Sequence, residues 1–116
     1  MAIIETSENA KDLPLQTHYY KATYKQVKEV YLAHLETLKH KVVSVNDDYL
    51  EVYSEVPHMF VVAKFFSPEN TVETGIDFYV DAEYLVGSNK KAIKFIESVY
   101  KKIEEKYEFK GTALHK

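Results

Sequence analysis

The sequence contains no cysteine, no arginine and no tryptophan, and only three glycines and three prolines among 116 residues. Without thiols there can be no disulfide, no thiolate zinc site and no cysteine nucleophile. That absence suits a reducing compartment, so a cytoplasmic location is the expectation. All 15 cationic residues are lysine, and the guanidinium fork that reads base edges, phosphates and carboxylates is missing. With a formal net charge of -3, nothing draws the chain to nucleic acid over a distance, and nucleic acid is a disfavoured partner. Three glycines leave no phosphate-cradling loop, and neither a Walker nor a dinucleotide fingerprint occurs. No apolar run approaches the roughly 18 residues that span a bilayer. The first residues, MAIIETSENAKDLPLQ, carry acids early, so neither a signal peptide nor a membrane anchor is expected.

What is present is a globular balance, with 46% hydrophobic and 28% charged residues, enough for one ordinary core. The abundance of Lys, Tyr and Ile resembles the composition of an AT-rich, bacterial-like genome and carries no mechanism. Residues 1–15 lack a sustained period and read as a loosely ordered leader, with a short docked piece at Ile3 and Ile4. Residues 16–116 read as a single α+β domain.

Within that domain, Gln16 to Ala22 alternate and form a first strand. Thr23 stands three residues before Gln26, a capping box that opens a helix from Tyr24 to Leu38. Its inward stripe is Val27, Val30, Tyr31, His34, Leu35 and Leu38. Lys41–Asn46 and Tyr49–Val56 flank Asp47 and Asp48, which as turn residues set Val45 opposite Leu50 and Val43 opposite Val52. After Pro57 and His58, Met59–Phe66 form the most apolar strand. A turn at Ser67 to Asn70 then sets Phe65 opposite Val72, Lys64 opposite Glu73 and Val61 opposite Ile76 along a strand from Thr71 to Asp81. A final helix, capped by Ser88 and stopped by Gly111, buries Ala92, Phe95, Ile96, Val99, Tyr100, Ile103 and Tyr107.

The order is β-α-β-β-β-β-α, a mainly antiparallel sheet of five strands with expected spatial order 2-3-4-5-1 and both helices on one face. At the level of topology this resembles the TBP-like, or helix-grip, architecture. That architecture implies candidate classes, DNA binders and carriers of hydrophobic ligands among them, and transfers no function.

If the helices cover the face bearing Val52, Val61 and Ile76, the other face carries rings among acids. Tyr49, Tyr53, Phe60, Val62, Phe66 and Tyr79 are the candidate interaction or ligand residues there, since rings supply contact area and carboxylates orientation. Gly75, expected opposite Val62, would admit a partner close to the backbone. The bland alternative is ordinary cross-strand packing, with the leader or the segment around Tyr84 covering the rings. Glu51, Glu73 and Asp77 have no histidine beside them, and Lys64 is their natural neutralising partner. The five histidines show no ligand spacing, so no metal, cofactor or catalytic residue is assigned. Glutamates interleave the lysines of the last helix, which reads as a solvated face. Three functions follow. The first is a non-catalytic interaction module, a homodimer or a docking subunit using the open sheet. The second is a small hydrophobic-ligand carrier with its site between sheet and C-terminal helix. The third is single-stranded nucleic-acid binding on the rings.

Overall fold

The period of two over residues 41–82 and the steps of three and four in the helical segments govern the fold. The computed structural model describes residues 2–11, 15–68 and 72–114. Along the chain lie β1 (Ala2–Glu5), β2 (His18–Tyr20), α1 (Tyr24–Thr37), β3 (Lys41–Asn46), β4 (Glu51–Val56), β5 (Met59–Phe66), β6 (Thr74–Ala82), α2 (Ser88–Glu104) and β7 (Phe109–Thr112). The chain is α+β, with two helices on a large antiparallel sheet. Strands follow the order β3-β4-β5-β6-β2-β7, and β1 also pairs with β6. The free edge of β6 is thus shared by β1 at Tyr79–Ala82 and by β2 at Thr74–Ile76.

Both helices cover one face. Val27, Tyr31 and Leu35 of α1, and Ile96, Val99 and Ile103 of α2, are fully buried over Val52, Val61, Ile76, Phe78 and Val80. Phe78 sits edge-on to Phe95 and Tyr100, while Phe65 meets Tyr24 and Tyr31. Each such side chain contributes roughly 1.5–3 kcal/mol by leaving water. At the start of α1 both halves of the capping box form: Thr23 Oγ1 accepts from Gln26 N at 3.2 Å, and Thr23 N donates to Gln26 Oε1 at 2.9 Å.

Several expectations need correction. The sheet has seven strands rather than five. The segment read as a leader supplies β1, and α2 stops at Glu104, so that Gly111 lies inside β7 instead of ending a helix. Gly87, not Ser88, is the N-cap of α2; the Ser88 hydroxyl turns back to the Tyr84 backbone. The first hairpin has a four-residue loop, pairing Val45 with Val52, and Val43 is left as a bulge. Asn46 Oδ1 accepts from the amides of Asp48 and Tyr49, and Asp47 is held by the Tyr24 hydroxyl and Lys28 at 2.6 and 2.9 Å. Those bonds draw the two aspartates out of a tight turn.

The β5–β6 register is displaced by four residues from the expected one. Val61 faces Val80 and not Ile76, Phe65 faces Ile76, and Lys64 faces Asp77 rather than Glu73. An even displacement returns every side chain to its expected face and still offers Lys64 an acid, so face and charge could not discriminate between the two registers. β2 and β7 decide it. Tyr20 pairs with Thr74, whose hydroxyl donates to the Ala22 carbonyl at 2.8 Å, and Lys110 holds the buried Glu73 at 2.7 Å. In the expected Ser67 to Asn70 turn, Glu69 and Asn70 lie outside the described residues.

Candidate functional site

On the uncovered face, the β4–β5–β6 ladder sets Tyr53, Val62 and Tyr79 in one cross-strand row. Phe60 is diagonal to Tyr53, with ring centroids 6.3 Å apart. Val62 is buried between its neighbours. Tyr49 stands outside β4 in the hairpin loop, exposed, and Phe66 lies at the far end of β5 with 45% of its surface open. Four of the six expected residues therefore form one patch, and two do not join it. Gly75 does not admit a partner. It faces Phe66 and Tyr19, and the Tyr19 ring fills the space above it. Tyr19 is buried, and its hydroxyl donates to Glu8 Oε1, so residues of the leader cover this end of the face. Beside it Thr6 and Thr17 both donate to Asp77 Oδ1, at 2.6 and 2.7 Å. Burial holds the Asp77 carboxyl above the ordinary carboxylate range, and the two hydroxyls oppose that shift.

A second site lies where α2 and the β2–β7 edge diverge. The chain leaves α2, turns through residues 105–108 and returns as β7 against β2. A bulge between Tyr19 and Tyr20 leaves Lys110 unpaired, so Phe109 pairs with Tyr20 and Gly111 with Tyr19. Bulges re-aim side chains. Here Lys110 reaches Glu73, and the Phe109 ring meets those of His18 and Tyr20, with centroids 5.3 and 5.6 Å away. The far end of β7 is pinned by Thr112 Oγ1 donating to Gln16 Oε1 at 2.7 Å.

Between these elements is a groove of about 710 Å³, within the size range of small-molecule sites. Its floor is aromatic. His18 stacks on Tyr100 with centroids 3.5 Å apart and planes 9° from parallel, and Phe109 lies alongside, 41% exposed. Gly111 and Thr112 form one wall. Glu97, Lys101, Glu104 and Glu105, spaced to share a side of α2, form the rim.

The polar geometry is specific. His18 Nδ1 is 2.8 Å from the Gln16 carbonyl, which can only accept, so Nδ1 carries the proton. Burial lowers the His18 pKa, against the Gln16 bond and the charge of Glu104. The ring is thus held neutral, with Nε2 as its acceptor. Tyr20 donates to Glu104 Oε2 at 3.0 Å, and burial followed by that carboxylate pushes the phenol far above its ordinary value. Burial likewise raises Tyr100. The site can hold a flat, partly apolar molecule that donates hydrogen bonds. Among the described residues no group of three or more His, Asp or Glu side chains is arranged to hold a metal ion.

His34, expected in the core, is there: Ser98 Oγ donates to the Phe95 carbonyl at 2.6 Å and lies 3.0 Å from His34 Nε2. His58 is a turn residue with φ of 74°. No helix among the described residues is long and apolar enough to cross a membrane.

No family model, curated protein or solved structure matches the chain. The helix-grip comparison therefore remains one of element order and carries no function.

His18 and Phe109 were not singled out by sequence reasoning, because neither sits in a ligand motif and β7 follows a helix whose end was misplaced. The signal was Glu97, Lys101 and Glu104 on one side of α2, which had read as a solvated surface.

Proposed function

We propose that this chain binds a small, partly apolar molecule in the groove between α2 and the β2–β7 edge. The observation that carries this reading is the aromatic floor of His18, Tyr100 and Phe109, left open beside a packed core. An apolar ring on that floor leaves water, and the acceptors around it fix its orientation. Aromatic fragments titrated at millimolar concentration should move the amide NMR signals of Lys101, Gly111 and Thr112. If no fragment in a diverse set moved them, the reading would be wrong.

The Tyr53, Val62 and Tyr79 row with Phe60 favours a second reading, in which the open sheet face joins a second copy or a protein partner. Its charged surroundings and the missing arginines argue for protein over single-stranded nucleic acid.

A further inference from the structure

The rim of the groove sets three carboxylates, Glu97, Glu104 and Glu105, against one ammonium, Lys101. Lys102 lies 3.8 Å from Glu105 and offsets part of that excess, and Lys110 is engaged by Glu73 on another side of the sheet. Glu104 is the best-placed acid. Its Oε2 is anchored by the Tyr20 hydroxyl at 3.0 Å, its charge reaches His18, and it borders the aromatic floor. A carboxylate fixed beside exposed ring faces attracts a cation twice, by direct charge and through the ring quadrupole. The neutral His18 ring contributes an acceptor, and it would oppose an anionic ligand because it has no positive charge to offer.

We infer that the ligand of this groove is a planar aromatic amine that enters protonated. Its ring lies over Phe109 and Tyr100, and its ammonium group meets Glu104. This inference rests on the small-molecule reading above and narrows it to a chemical class.

Three probes with similar phenyl-alkyl skeletons separate the outcomes: 2-phenylethylamine, 2-phenylethanol and 3-phenylpropionate, titrated by amide NMR at neutral pH and low salt. The amine should bind at least about tenfold more tightly than the carboxylate, a difference of about 1.4 kcal/mol. Added salt should weaken the amine because part of its attraction is screened. Glu104→Gln keeps an acceptor for Tyr20 while removing the charge. It should weaken the amine severalfold and leave the alcohol unchanged. If the alcohol or the carboxylate bound as tightly as the amine, or if Glu104→Gln left amine binding intact, the amine assignment would be overturned with the groove reading still standing. If none of the three moved signals from Lys101, Gly111 or Thr112, both would fall.

Discussion

Replacing Gly75 with alanine should destabilise the protein through one identifiable ring. A Cβ built at Gly75 would overlap Tyr19 Cε1 and lie 2.8 Å from Cδ1 and 3.1 Å from Cζ. Carbon atoms rest at about 3.5–4.0 Å. The ring cannot move aside freely, because Tyr19 is only 3% exposed and its hydroxyl is bonded to Glu8. If it stays, overpacking costs about 1–3 kcal/mol. If it swings out, the hydrogen bond to a charged partner, worth about 1.5–3 kcal/mol, is lost instead. Either route leads to about 2–3 kcal/mol, or roughly 6–15 °C in Tm for a chain of this length. Urea titration of the wild type, Gly75→Ala, Tyr19→Ala and the double variant would isolate the contact. The alanine should be costly beside Tyr19 and nearly free once the ring is gone. A Gly75→Ala change within about 0.5 kcal/mol of wild type, or an equal cost in both backgrounds, would show that the ring does not sit over the glycine.

Val61, fully buried opposite Val80, should lose about 1–3 kcal/mol on truncation to alanine; a neutral denaturant titration would put the core face in doubt. Asp77→Asn keeps an oxygen for Thr6 and Thr17 and removes a charge that burial penalises, so thermal unfolding at neutral pH should show no loss, whereas Thr17→Val should cost about 1 kcal/mol. A clear loss with Asp77→Asn would mean that the charge facing Lys64 outweighs its burial. His18, His34 and His40 are all held below the model value of 6.5, chiefly by burial. The unfolded chain therefore takes up their protons first, and stability present above pH 6.5 should fall as the pH drops below it. Asp77, raised by burial, acts in the opposite sense at lower pH, since its penalty is relieved as it protonates. A flat stability profile between neutral and mildly acidic pH would contradict the burial of these imidazoles. For the second reading of function, Tyr53→Ser with Phe60→Ser should weaken association by about 1 kcal/mol or more per anchor, seen in light scattering across concentrations; unchanged mass would remove that face as a contact.

The legible parts of the fold were those that local chemistry decides. Thr23 and Gln26 announced the start of α1, and the alternation through Phe60, Val61, Val62 and Ala63 marked a strand with few exposed positions. Which face each residue of β5 and β6 occupies was also readable, because period two fixes it under any even shift. The register was not, since Lys64 finds an acid at either Glu73 or Asp77, and the choice is made by Tyr20 and Lys110 arriving from distant parts of the chain. β1 and β7 escaped for a related reason. Four-residue strands carry too little pattern to stand out, and both exist because a neighbouring edge accepts them. The groove inherits that obscurity: its floor joins His18, Tyr100 and Phe109, three residues brought together only by long-range pairing.

The sharing of β6 by the first two strands has a consequence in time. β2 precedes its first partner by more than fifty residues, since Tyr20 pairs with Thr74, and its second, β7, comes later still. At synthesis rates of about 5–20 residues per second, His18–Tyr20 waits roughly 3–11 s beyond its own emergence before β6 exists to receive it. During that interval the hairpins from β3 to β5 can close on local contacts, while Tyr19 and Tyr20 have no ladder to enter. The aromatic floor is therefore among the last surfaces to be completed, assembled only when β7 docks alongside a strand made at the other end of the chain.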